Sequence, residues 1–437
     1  MYYSQYNTIV KLRSAESKRY VLYNSLTNGL DLLDEFQHSQ LQTIQLSADI
    51  QDVDRQFINA LTRQGYLFAA QEEESQRAAA EYGRIQQHLQ NAPIRLCLTA
   101  ASSPVLFTHP SIAGEDPHSP ASAAYEVMNA FFNFATHFEK HAMPPSLLFM
   151  ISRSRQPDRQ NTLLRYFSSQ CLRYNYPFSL VIDSHELAGY ATTLVTLPAQ
   201  KVHIVFQPAP VSGTASRNQA DPSPCFTAIA AALVPLIRHE VPILLHILVN
   251  RELDNMVPLI TALESQNLLS LDPKQFAILL ELPFDETGIP APERLKFWQQ
   301  LAVLSKQHPL MKKVRPVDFE FIRHSLEPEG KNPLWDPADP VWLGDQQGTI
   351  HAWPATNVNG QKEGKLGSFY PQLTWNGPAF KNWQQQNARQ RADCRQCHDQ
   401  LPCSRHRMAA AYCGHPVSPA CPPTEQLIEA ALRYYLE

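Results

Sequence analysis

The chain has 437 residues, is 44 % hydrophobic and 10 % aromatic, and carries a net charge of −4. That length leaves room for two or three domains with a sizeable core. The charge gives no electrostatic case for nonspecific nucleic-acid binding. No apolar run reaches the roughly 20 residues that span a bilayer, and Met1 to Val10 lack the basic start and apolar run of a secretory signal. A soluble, cytoplasmic protein is therefore expected. With 15 glycines against 35 prolines, no glycine-rich phosphate loop or dinucleotide fingerprint occurs.

In chain order, Tyr20-Val-Leu-Tyr23 is a strand-like run. Leu26, Leu30 and Leu33 recur at i, i+4 and i+7, which predicts a helix beginning near Asn24 or Ser25. Val53, Phe57, Ile58 and Leu61 predict a second helix, capped by Asp52 and stopped at Gly65, after which Tyr66-Leu-Phe68 returns as a strand. This order suits a winged-helix-like module over residues 1–92, with Glu72 to Asn91 as a solvated linker helix. A winged helix that binds DNA needs clustered Arg and Lys. Asp52-Val-Asp-Arg55 and Glu72-Glu-Glu74 have the wrong sign. Peptide capture along the edge of the small sheet fits better, with a plain packing role as the competing reading.

From residue 93 the pattern changes. Strand-like runs at Ile94–Leu98, Leu147–Ile151, Phe178–Ile182, Val202–Phe206, Val241–Val249 and Phe276–Leu280 alternate with helical spacing at 125–141, 162–174, 227–238 and 256–266. Such alternation implies βαβ units and a parallel sheet. About six strands fit a curved open barrel better than a flat dinucleotide-binding sheet.

Five of the eight cysteines fall in the last 44 residues: Cys394, Cys397, Cys403, Cys413 and Cys421. Cys-x2-Cys followed by Cys-x5-Cys bunches thiolates closely enough that a zinc site or an iron–sulfur cube is the simplest explanation. Disulfides are disfavoured in a reducing compartment. Four soft ligands are needed and five are present. His398 and His406 flank them and could ligate zinc.

Taken together, the chain resembles a radical SAM protein of the SPASM class that matures peptides. The resemblance rests on Tyr23 to Asp34, on Ile94 to Thr99 as the first barrel strand, on Val181 to Leu187, on Phe226 to Val249, on Lys365-Leu-Gly-Ser-Phe369, and on the C-terminal cysteines. It implies a winged-helix-like peptide-recognition module (1–92), a partial (β/α)6 TIM-type barrel (93–325) and a SPASM-like cysteine-rich domain (326–437).

The departures from the pattern bear on function. After the first strand the family carries Cys-x3-Cys-x2-Cys for the cluster that binds S-adenosylmethionine. Here the segment is Ser102-Ser-Pro-Val-Leu-Phe-Thr-His-Pro110 without a cysteine, and Cys97 lies inside the strand. Ser152-Arg-Ser-Arg-Gln-Pro157 stands where the cofactor-holding Gly-Gly-Glu-Pro belongs. Gly348 is kept, but Trp335, Trp353 and Arg407 occupy cysteine positions that serve the first auxiliary cluster in the family. Cys394, Cys397, Cys403 and Cys421 match the full ligand set of the second, with Cys413 as a possible substitute for the last.

The resemblance thus implies a pseudoenzyme in ribosomal peptide modification. It would keep one [4Fe–4S] cluster (zinc as the alternative), bind no S-adenosylmethionine, and pair with a precursor peptide, an active radical SAM maturase or both, as a hetero-oligomer without nucleic acid or membrane. Two other readings compete. One is an enzyme reusing the barrel mouth near His109, Arg153, Arg155 and Arg159, and the other is a zinc-stabilised interaction protein. Asp183, Ser184 and His185 read as turn chemistry, and Cys171 and Cys225 as structural.

Overall fold

The structure is a computed structural model. It describes residues 1–12, 19–46, 53–91, 95–99, 121–138, 145–151, 157–199, 201–206, 223–249, 253, 255–282, 291–326, 341–345, 347–353, 365–378 and 424–437.

After β1 (Tyr2–Tyr3), strands β2 (Asn7–Leu12), β3 (Arg19–Asn24) and β4 (Gly29–Leu33) form an antiparallel sheet in the order β2-β3-β4. The helix expected over residues 26–33 is therefore a turn and a strand. Asn28 takes a left-handed φ of 57° just before Gly29, and Asn-Gly between apolar runs is a strong hairpin signal. The leucine spacing was coincidental: Leu26 sits in the turn, while Leu30 and Leu33 pack into different hydrophobic clusters.

The first helix is instead α1 (Glu35–Leu46). Its start is a capping box, in which Gln37 N donates to Asp34 Oδ1 at 2.8 Å and Asp34 N to Gln37 Oε1 at 3.1 Å. Helix α2 (Arg55–Gln64) is capped by Asp54, whose Oδ1 accepts from Gln56 N at 2.8 Å. Asp52, the expected cap, lies outside the described residues. Gly65 ends α2 with φ 81°, then β5 (Leu67–Phe68) pairs antiparallel with β1, and α3 (Gln71–Asn91) follows.

Asn24 ties this module together. Fully buried, its Nδ2 donates to Ser4 Oγ (2.9 Å), Asn7 Oδ1 (2.7 Å) and Gly65 O (3.1 Å), while its Oδ1 accepts from Leu26 N (3.0 Å) and Thr27 N (2.9 Å). The three-stranded sheet is apolar on both faces. Leu22 packs with Leu33, Leu41, Ile58 and Leu61 inside the module. Val10, Leu12, Val21 and Tyr23 point the other way and join the main core.

That main core belongs to a parallel sheet. Strands β6 (Arg95–Thr99), β7 (Ser146–Ile151), β8 (Phe178–Asp183), β9 (Lys201–Phe206), β10 (Ile243–Leu248), β11 (Phe276–Glu281) and β12 (Val314–Pro316) lie side by side in chain order. The crossovers carry α4 (Ala121–Thr136), α5 (Pro157–Tyr174), α6 (Leu187–Leu194), α7 (Ser223–Arg238), α8 (Met256–Ser265) and α9 (Ala291–Gln307). Apolar residues of these helices share one core with the strand face that carries Leu96, Leu98, Leu147 and Phe149. Seven strands run in series where about six were expected, because β12 has only three residues.

After α10 (Glu320–Leu326), β13 (Val341–Gly344) pairs parallel with β6, and β14 (Thr349–Trp353), β15 (Lys365–Ser368) and β16 (Thr374–Trp375) extend that edge antiparallel. The sheet runs open from β12 to β16. Helix α11 (Thr424–Leu436) packs against α9 and β2. Its buried Tyr434 hydroxyl donates to Met311 O, and to Val314 O at 2.8 Å, clamping the helix to β12. Beside it Asp318 takes Arg294 Nε at 2.9 Å, Arg294 Nη2 at 3.1 Å and Trp298 Nε1 at 2.7 Å, holding α9 against the turn after β12. Among the described residues no helix is long and apolar enough to cross a membrane.

Removing the Asn24 side chain leaves several buried partners unsatisfied. Asn24→Ala should lower stability by about 1–3 kcal/mol, the cost of orphaned buried polar groups. Urea unfolding followed by tryptophan fluorescence measures it, and an unchanged midpoint would deny the side chain this role.

Candidate functional site

Strand alternation sorts side chains between the two faces of the parallel sheet. Leu96, Leu98, Leu147, Phe149, Leu180, Ile204, Leu245 and Ile278 enter the main core under the helices. The opposite, inner face holds two smaller apolar clusters. One contains Cys97, Met150, Val181 and Leu343, and the other Leu244, Ala277 and Leu279. Polar residues at the same parity as these clusters include Arg95, Thr99, Ser146, Ser179, Asp183, Lys201, His203, His246, Glu281 and Arg315.

Three of these inner residues come together on adjacent strands. His246 Nδ1 on β10 lies 3.1 Å from His203 Nε2 on β9, with ring centroids 5.1 Å apart and planes 23° from parallel. On the other side, His246 Nε2 lies 2.7 Å from Glu281 Oε2 at the end of β11, off the N–H axis. His246 is 1 % exposed, His203 6 %, and the Glu281 side chain 18 %. The three groups therefore form a line from a partly solvated carboxylate to a buried imidazole. They do not converge on one point, and among the described residues no group of three or more metal-ligating side chains is placed to hold a metal ion.

Lys201 lies two residues before His203 on β9 and is also buried. Burial pushes its ammonium pKa down to about 7, and the charge of Arg95 adds to the effect. Burial pushes the Cys97 thiol up to about 12, so at neutral pH Cys97 is a protonated, apolar group. Asp318 is raised by burial against the pull of Arg294 and Trp298, and the nearby negative charge of Glu281 raises it further.

Of the residues singled out from sequence, Cys394, Cys397, Cys403, Cys413, Cys421, His398, His406, His109, Arg153 and Arg155 lie outside the described residues, as do Trp335 and Arg407. Arg159 is half-buried in the first turn of α5. Asp183 makes turn chemistry, as expected: its Oδ1 accepts from His185 N at 2.9 Å, just before α6. Cys171 is buried in α5 with its thiol raised by burial, and Cys225 lies in the first turn of α7. Gly348 sits in the β13–β14 turn with φ 78°, where a Cβ would collide with Tyr370, which is a physical reason for glycine there. Trp353 ends β14 opposite Val341.

Sequence reasoning missed His203, His246 and Glu281. The signal was present: a histidine or charge recurs at one parity inside otherwise apolar strand runs, where hydrocarbon would be the ordinary choice.

No protein-family model matches the chain, and no curated protein matches it significantly. Among solved structures it is similar to native anSMEcpe with bound AdoMet, with a TM-score of 0.50 at 11 % identity, over 78 % of this chain and 97 % of that one. A polyhistidine-tagged form with bound AdoMet gives a TM-score of 0.49 at 12 % identity, covering 78 % and 93 % of the two chains. The native form with AdoMet and the Cp18Cys peptide gives 0.49 at 12 %, covering 78 % and 96 %. The anSME proteins are anaerobic sulfatase-maturating radical SAM/SPASM enzymes. At such identities the likeness is one of fold: this chain shares with that structure a mixed α/β architecture with a large and mostly parallel sheet.

Proposed function

We propose that the chain is a radical-SAM-like scaffold that binds a precursor peptide, pairs with an active maturase, and uses no S-adenosylmethionine. The observation that carries this reading is a contrast between fold and sequence. The similar enzyme binds AdoMet, yet in this chain residues 98–110, which leave β6 and follow it, contain no cysteine. Without three thiolates there, a cluster able to reduce the sulfonium has no ligands.

The cysteines at 394, 397, 403 and 421 form the remaining soft-donor set. Four thiolates suit a [4Fe–4S] cluster, and equally a structural zinc. Either would supply a folding constraint here rather than radical chemistry.

Support for peptide binding comes from the small N-terminal sheet. Strand β4 is an outer strand of the order β2-β3-β4. Leu32 on β4 is 52 % exposed, and Phe36 in the first turn of α1 is 69 % exposed. An outer strand beside exposed apolar side chains is suited to adding a peptide strand through main-chain hydrogen bonds, with those side chains as anchors. The opposite face of the same sheet is part of the main core, so deleting the module would strip Val10, Leu12, Val21 and Tyr23 from that core. Point changes on the exposed side are the cleaner probe.

Three outcomes are expected. Incubation with S-adenosylmethionine and a strong reductant should give no 5′-deoxyadenosine above a protein-free control, and detectable turnover would overturn the pseudoenzyme reading. Replacing Cys394 and Cys397 with alanine should abolish bound iron and sulfide, or zinc; full metal content in that variant would sink the ligand assignment. Leu32→Asp with Phe36→Asp should weaken capture of a co-encoded peptide about tenfold, equal to roughly 1.4 kcal/mol. Undiminished capture would move the peptide site off β4.

A further inference from the structure

Helix α1 carries more apolar surface than the fold uses. Its inward side packs Leu41 and Ile44 against Leu22 and Leu33 in the N-terminal module. Phe36, Ser39, Thr43 and Leu46, all exposed, form a second stripe. Their three-four-three spacing is the one by which packed helices present a seam. At 3.6 residues per turn the four fall within about 80° of one another, and roughly 150° from the mean direction of Leu41 and Ile44. Phe36 is 69 % exposed and Leu46 89 %.

The solvated side of a helix ordinarily carries charge. From Phe36 to Leu46, α1 has no Asp, Glu, Lys or Arg. Its one titratable group, His38, stacks face to face on Tyr20 with ring centroids 3.7 Å apart, so it is held on the module and off the stripe. Thr43 Oγ1 donates to Ser39 O at 3.2 Å, so covering that hydroxyl would orphan no hydrogen. Two large apolar ends, two small residues between them and no charge make a surface that loses little by leaving water.

We propose that this stripe is the contact between two copies of the chain, with the two α1 helices antiparallel across a twofold axis. The order of residues along the stripe selects that occupant. A twofold contact must be self-complementary, so that residue i meets j and j meets i. Read in either direction the stripe is large, small, small, large. About an axis level with Leu41, Phe36 faces the partner's Leu46 and Ser39 faces the partner's Thr43, and each pair occurs twice. The small middle residues let the helix axes come close. Identical copies carry identical charges, and opposed like charges are costly, so a neutral stripe suits a second copy better than an acidic or basic partner. A helix of 12 residues is about 18 Å long. One such pair lies at the small end of specific interfaces, which makes the dimer weak and concentration-dependent. The contact does not depend on the peptide reading. Where both hold, a peptide anchored on Phe36 and a second copy exclude one another.

Sedimentation velocity of the intact chain, from about 1 μM to about 1 mM and without peptide, tests the contact. The wild type should pass from monomer to dimer. Ser39→Glu with Thr43→Lys sets opposite charges across the seam twice and should dimerise at least as well as the wild type. The same two changes form a helix-supporting Glu–Lys pair four residues apart. Ser39→Glu with Thr43→Glu opposes carboxylates twice and should weaken the dimer about tenfold. In a parallel pair the first variant would bring like charges together, so loss of its dimer would overturn the antiparallel seam. Leu172→Asp changes a leucine on α5 that is 63 % exposed and should leave the dimer intact; loss of the dimer there would move the contact to α5. A wild type still monomeric at the top of the range, or a dimer indifferent to both double variants, would refute the proposal. Circular dichroism confirms that each variant is folded, and should one fail to fold, the wild type and the other variant still decide.

Discussion

Every other feature of this protein depends on the strict two-residue alternation of seven parallel strands in series. It sends one set of side chains under the helices and the other to the opposite face. The helix side can be filled with Leu, Ile and Phe because only packing is asked of it. The inner side can host charged groups because neighbouring strands are close enough to pair them. A one-residue slip in β10 would move His246 beneath α7 and α8 and put Ile247 beside Glu281. The flanking apolar residues that anchor each strand therefore also set the position of every polar group inside.

The N-terminal sheet follows the same logic on a smaller scale. Its centre strand, β3, is apolar at both parities, with Leu22 facing the module and Val21 and Tyr23 facing the main core. A sheet that must be buried on both faces cannot behave as a freely tethered recognition unit. Whatever engages β4 engages a surface fixed rigidly to the parallel sheet. Energetically, a peptide bound there would lose little to module reorientation.

Most of the alternation of the middle region was legible in the sequence because six of the strands are apolar runs and four of the six crossovers have helical spacing, whereas α6, α9 and β12 were not anticipated. The first hundred residues were harder to read. Leu26, Leu30 and Leu33 satisfy a helical period, yet Asn28 and Gly29 lie between them, and backbone conformation at those two residues decides the outcome. Local turn chemistry overrode side-chain periodicity. Helix α1 was missed because its apolar stripe is thin, with Leu41 and Ile44 its only two buried residues, although the Asp34 and Gln37 capping pair was there to be seen. The His203–His246–Glu281 line could not be found by motif, since its members are 43 and 35 residues apart and meet only through strand register. A different limit applied to the departures from the radical SAM pattern, which are properties of the sequence itself and needed no coordinates.

The clamp made by Tyr434 has a consequence for synthesis. Helix α11 follows every strand of the parallel sheet in the chain, yet it packs against β2, near the beginning. A ribosome delivers these partners more than 400 residues apart, and domains otherwise tend to fold as they emerge. Until residues 424–436 appear, the apolar face formed by Val10, Leu12, Val21 and Tyr23 has no lasting cover from that helix. The nascent chain would expose a sticky sheet throughout translation of the middle region. That interval is when a holdase chaperone would have most to bind, and slowing elongation there should increase aggregation rather than relieve it.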